Sequence, residues 1–136
     1  MDKKQLFTPN QIFACTFFGG PMAMVYALWK NFQVLERPRD GQQILSWGAL
    51  FIVTLILFSP FVPDWAAIVV PIAYSFGARS IAASHQMQKD DILHSDAYEP
   101  QPIVNVAAVA IVFFLSFVVV ISAFVFILVS AGIIEP

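Results

Sequence analysis

Residues 103–134 read IVNVAAVAIVFFLSFVVVISAFVFILVSAGII. This run holds no charged side chain, and Asn105 is its only strongly polar member. About twenty apolar residues span a bilayer, and this stretch supplies about thirty, so it reads as a transmembrane helix and lipid becomes the solvent for the rest of the chain. At about 1.5 Å per residue it is longer than the hydrocarbon layer and must tilt or project.

The composition agrees. Of 136 residues, 59% are hydrophobic, only 12% are charged and fourteen are phenylalanine, which is too apolar for a water-soluble domain of this size. The expectation is one membrane domain over residues 1–136. A net charge of −2 with scattered Lys and Arg offers no basic patch, so no nucleic-acid partner is expected. Cys15 is the single cysteine and sits in an apolar run, which excludes an intrachain disulfide and reads as a small core residue. No small-x-small cleavage pattern follows the Met1-Asp2-Lys3-Lys4 start, so the amino-terminal segment is expected to be retained.

Three further spans lie upstream. Thr8-Pro9-Asn10-Gln11 has the form of a helix start, with Thr8 as N-cap, Pro9 at the first helical position and Gln11 completing a capping box. The first helix is expected over 9–35, kinked by Gly19-Gly20-Pro21, because Pro21 removes a backbone hydrogen bond. Pro38-Arg39-Asp40-Gly41 reads as a turn, and a second helix is expected over 44–60. Ser59 to Asp64 forms a tight proline-containing hairpin in which Asp64 caps a third helix, over 64–92 and kinked by Pro71. With the closing helix over 103–134, the expected fold is an all-α integral membrane protein, four transmembrane helices in a compact bundle. Four crossings would place both termini on one side. The polar connections hold Lys30, Arg37, Arg39, Arg79 and Lys89 against Lys3 and Lys4, which favours cytoplasmic loops and external termini.

Membrane helices associate through small residues rather than hydrophobic burial. Thr16, Gly20, Ala23 and Ala27 share a face of helix 1, and Ala73, Gly77, Ser80 and Ser84 repeat that spacing in helix 3. Ser116, Ala123 and Ser130 recur every seven residues in helix 4. Helices 1 and 3 are therefore expected at the packed centre, with helix 2 more exposed to lipid.

Candidate chemistry is sparse. Arg79 is an ionisable group inside an apolar segment and hence a candidate substrate, lipid or ion contact. It also lies near enough to the helix end to snorkel to the interface. His85, Asp90, Asp91 and His94 include a metal-like pair, Asp90 and His94, but His85 points elsewhere, so a solvated helix end is the simpler reading and neither metal nor cofactor is expected. There is no paired nucleophile and base and no phosphate-cradling glycine loop, so no enzymatic role is expected.

The stretch Thr8-Pro9-Asn10-Gln11-Ile12, then Phe18-Gly19-Gly20-Pro21, then Asn31-Phe32 with Leu35, resembles the start of a set of small bacterial multi-pass inner-membrane proteins of unassigned function. The resemblance covers the first quarter of the chain and departs at Glu36-Arg37-Pro38, where a glycine is usual. It implies a bacterial inner-membrane location and no catalytic residues. The expected function is an accessory or interaction role, through a protein partner or self-association in the bilayer. The alternative is an oligomeric transporter or channel protomer with a path along helices 1 and 3.

Overall fold

The chain turns on Gly20. In the computed structural model, which describes residues 2–135, this residue has φ 80° and ψ −170°, a region essentially reserved for glycine. It interrupts helix α1 (Pro9–Val34). Residues beyond both ends of α1 meet: Lys4 Nζ lies 2.7 Å from a Glu36 carboxylate oxygen. Phe7 and Asn31, separated by 24 positions, exchange two hydrogen bonds of 2.8 Å. A straight helix would hold them about 36 Å apart, so the two arms of α1, residues 9–19 and 21–34, fold back on one another.

Each residue of the tip has a physical role. Gly19 lets the backbone approach the neighbouring helix: an added Cβ would stand 2.8 Å from Ala110 Cα. Gly20 supplies the positive φ. Pro21, which lacks an N–H and has a φ suited to helix initiation, begins the second arm. The expected kink is thus a reversal placed at Gly20.

The described residues contain β1 (Lys4–Leu6), α1, α2 (Pro38–Phe58) with a 3₁₀ turn over Ser59–Phe61, α3 (Ala66–His85), α4 (Lys89–Leu93), β2 (Tyr98–Pro100) and α5 (Ile103–Ser130). The fold is 77% helical, and four helices are long and apolar enough to cross a membrane. β1 and β2 add a short parallel ladder to the expected all-helical architecture, pairing Gln5 with Glu99.

Helix boundaries follow local chemistry. Thr8 and Gln11 form the expected capping box. α1 ends in a Schellman motif, with Glu36 N–H donating to Gln33 O and Arg37 N–H to Phe32 O. Glu36 occupies the left-handed position, φ 59°, where glycine would be unstrained. α2 begins at Pro38, not near residue 44, because the expected turn residues Pro38 and Asp40 are also good first-turn residues. Asp64 does not cap α3: Trp65 precedes the helix with no side-chain cap, and Asp64 contributes its carbonyl to Ala67 N–H.

α3 ends at His85 instead of continuing to residue 92. Gln86 has φ −120° and ψ −141°, and its side chain is drawn to Asn31 and Leu28. Pro71 lies inside α3, which stays helical through it. α5 stops at Ser130 rather than 134, closed by a second Schellman motif around Gly132, φ 69°.

α1 is the central element, and α2, α3 and α5 each pack chiefly on it. The core joins Phe7, Ile12, Cys15, Ala23, Ala27 and Leu28 to Ala78 and Ala82 of α3 and Ala110 of α5. α2 is largely exposed, as expected of helix 2. The fold-back of α1 gathers β1, the α1–α2 turn and the α3–α5 connection at one end of the molecule. α5, about 42 Å long at 28 residues, leads away from that end. The amino-terminal segment therefore stands with the polar connections, and the expected grouping of the two termini is replaced.

Candidate functional site

The end at which these segments converge is closed by a hydrogen-bonded lock. Asn31, in the last turns of α1 and 2% exposed, accepts from Phe7 N–H through Oδ1. Its Nδ2 donates to Phe7 O and to Gln86 Oε1, each at 2.8 Å. Gln86 Nε2 in turn donates to Leu28 O at 3.0 Å. Buried amides must find partners, and this network provides them across three segments. Gln11 Nε2 donates to Gln101 O at 2.7 Å, tying the start of α1 to the segment before α5. Arg37 donates to His85 O and pairs with Asp40 at 2.6 Å. Lys4 and Glu36 shift one another: the shared hydrogen bond, then charge attraction, raises the Lys4 ammonium and lowers the Glu36 carboxyl from their ordinary values.

Because α2, α3 and α5 radiate from α1, clefts open between them. The first lies between α2 and α3, has a volume of about 260 Å³ and is floored by Met24, Val25 and Leu28. Its walls include Trp47, Gly48 and Phe51 on one side and Tyr74, Gly77 and Ile81 on the other. Phe51 and Tyr74 meet edge to face across it, 5.7 Å between centroids. A Cβ at Gly48 would collide with Val25, so α2 sits close on the floor, whereas Gly77 faces open space.

A second groove follows the opposite side of residues 22–33, between α2 and α5 in its lower part and between β1, α1 and α5 in its upper part. Its lower part, about 350 Å³, is apolar and lined by Met22, Val25, Trp29, Leu45, Ile52 and Phe113. Its upper part, about 310 Å³, is lined by Gln5, Lys30, Gln101 and Asn105 together with Ala108 and Val109. Tyr26 lines both parts, with its ring 5.1 Å from that of Phe113.

The expected site residues are distributed unevenly over this geometry. Thr16, Gly20, Ala23 and Ala27 are all buried, and the Thr16 hydroxyl has no hydrogen-bond partner. Gly19 and Pro21 are buried at the tip. On α3, Ala73, Gly77, Ser80 and Ser84 are exposed, and the small residues that face α1 are Ser75, Ala78 and Ala82. Both sets have helical spacing, so period alone does not choose between them. On α5, Ser116, Ala123 and Ser130 are also exposed; Ala110 packs against Gly19, and Ser116 returns its hydroxyl to Val112 O. Arg79 Nε donates to Asn10 Oδ1 at 2.9 Å, which ties α3 to the first turn of α1.

The α1–α3 interface, the alternative place for a transport path, is filled by Ile12, Cys15, Ala27, Ala78 and Ala82, each at most 1% exposed. His94 Nδ1 lies 2.7 Å from Asp90 O. Among the described residues, no three His, Cys, Asp or Glu side chains gather as a metal site.

The sequence alone gives Asn31, Gln86 and Lys30 no role in a site. The available signal was a polar amide or ammonium inside or at the end of a helix with no capping role, which in an apolar chain demands a partner. Comparisons with protein-family models, with curated proteins and with solved structures find no match to this chain.

Proposed function

We propose that this protein is an interaction subunit of a bacterial inner membrane, working through contacts in the bilayer without chemistry of its own. In this reading α2, α3 and α5 cross the membrane and α1 is a re-entrant hairpin. Its tip at Gly20 faces Phe117, whose ring an added Cβ would meet at 3.5 Å, about 21 Å of helix from the start of α5. Backbone that reverses at such depth is tolerated where protein surrounds it, and Gly19 and Gly20 are buried.

The seven Lys and Arg support the orientation. Lys3, Lys4, Lys30, Arg37, Arg39 and Lys89 belong to the locked end, and Arg79 is tied to Asn10 beside it. Asp64 and Glu135 lie toward the other end, which has no Lys or Arg among the described residues. The positive-inside rule then makes the locked end cytoplasmic, with the amino-terminal segment inside and the carboxyl-terminal residues outside.

The observation that carries the interaction role is the outward position of the Ala73-Gly77-Ser80-Ser84 stripe, with Gly77 at the open α2–α3 cleft. Small residues let helix backbones approach closely in lipid. A transmembrane helix of another chain is the occupant that suits such a surface. In a Cys15→Ser background, Gly77→Cys in native membranes is expected to form a cross-linked adduct with a short bifunctional thiol-to-amine reagent. Ile127→Cys, on the exposed distal part of α5, is the control. Equal adduct yields at the two positions would remove the proposal.

A further inference from the structure

We propose that the groove running along α1 from the α2–α5 cleft up to β1 binds a membrane phospholipid through an anionic headgroup, a proposal that rests on the membrane reading above. The argument begins with the fate of each cation. Lys3 donates to Ser95 O, Lys4 pairs with Glu36, Arg37 with Asp40, and Arg79 donates to Asn10. Arg39 and Lys89 are exposed at the locked end. Lys30 is the one partly buried cation that has no ion pair or hydrogen-bond acceptor among the described residues.

Lys30 also stands where two polar clefts meet, as the one cation common to both. It lines the 310 Å³ cleft and, with Gln5 and Gln101, a neighbouring 480 Å³ cleft nearer the surface. The carboxylate that lines the outer cleft, Glu36, is committed to Lys4, and the inner cleft contains no acidic residue. The amides of Gln5, Gln101 and Asn105 add donors around it; Asn105 Nδ2 bonds Gln101 Oε1 at 3.1 Å, and Gln5 Nε2 bonds Glu99 at 3.2 Å. An unpaired ammonium among amides attracts a phosphate, and at a membrane surface it attracts anionic lipid.

The rest of the groove selects a lipid over a free anion. Tyr26 joins the polar cleft to the apolar trough, and its ring lies 6.1 Å from Trp29. Amphipathic aromatic rings of this kind mark the headgroup boundary. Below them Met22, Leu45, Ile52 and Phe113 offer a channel suited to an acyl chain. Lys30 lies four residues before the end of α1, about 6 Å of helix from Val34, a depth that suits a phosphate rather than bulk water.

The test uses the full chain in nanodiscs of equimolar phosphatidylglycerol and phosphatidylcholine, with retained lipid identified by native mass spectrometry. Phosphatidylglycerol is expected to be retained over phosphatidylcholine by about fivefold, the scale of one lysine at an anionic surface. Lys30→Gln is expected to abolish the preference, while Lys30→Arg and the exposed-cation control Arg39→Gln keep it. Ala108→Phe, which fills the upper cleft, is expected to lower retention of both lipids while helicity by circular dichroism is unchanged. Equal retention of the two lipids by the parent chain, or an unchanged preference in Lys30→Gln, would overturn the site. Displacement of phosphatidylglycerol by millimolar glycerol phosphate would assign the groove to a soluble phosphate and overturn the lipid reading. Failure of the membrane reading is separately visible, as a chain that stays monodisperse without detergent or lipid.

Discussion

The side chain of Asn31 and the backbone of Phe7 are paired as two strands would be, Oδ1 to N–H and Nδ2 to C=O, both at 2.8 Å. One amide thereby closes the α1 fold-back and satisfies both polar groups of a residue that is 2% exposed. Asn31→Leu should therefore cost about 2–4 kcal/mol, since it leaves the buried Phe7 groups and Gln86 Oε1 without the Asn31 amide. Urea or mixed-micelle unfolding measures the loss, and faster hydrogen exchange at the Phe7 amide identifies its source. A protected Phe7 amide in the variant would mean that β1 holds the segment without Asn31.

Gly20→Ala is expected to destabilise the chain by about 1–3 kcal/mol, because φ 80° with ψ −170° excludes a side chain on backbone grounds alone. The space beside it is open enough for ordinary contact with Phe117, so the penalty is conformational. Gly19→Ala tests a different cost, a collision with the Ala23 Cβ and the Ala110 backbone. Thermal unfolding in detergent compares them, and Ala23→Gly, which removes the nearest colliding atom, should recover part of the Gly19 loss and none of the Gly20 loss.

The Lys4–Glu36 contact gives a pH dependence of defined sign. The Glu36 carboxyl is lowered by its hydrogen bond and charge attraction with Lys4, so the pair is intact above the ordinary carboxylate range. As pH falls through the lowered folded value, Glu36 is protonated and the contribution is lost. Both side chains are exposed, which keeps the effect small. A carboxyl-detected NMR titration of Glu36 should show the depressed midpoint in the parent chain and its return in Lys4→Gln.

Much of this architecture was legible, and the misreadings have common causes. The four apolar runs follow directly from hydropathy, and the Thr8–Gln11 capping box from local chemistry. Gly19-Gly20-Pro21 carried both readings. A proline inside an apolar run suggests a kink, yet glycine followed by proline is also a helix stop followed by a helix start. Only the long-range partners of Asn31 decide between them. On α3, two small-residue faces compete, and the fold-back of α1 selects Ser75, Ala78 and Ala82. Lys30 reads from sequence only as one more loop cation, because its importance comes from the absence of an anion in a groove made by β1, α1 and α5.

The fold-back at Gly20 is the central claim, and sidedness tests it most directly. With Cys15 replaced by serine, single cysteines at Asp2, Asp96 and Glu135 can be labelled by a membrane-impermeant maleimide in intact spheroplasts and in inverted vesicles. The fold-back requires Asp2→Cys and Asp96→Cys to react from the same face and Glu135→Cys from the opposite one. Labelling of Asp2→Cys and Glu135→Cys from one face, with Asp96→Cys from the other, would mean that α1 crosses the bilayer as a single span and would contradict the account.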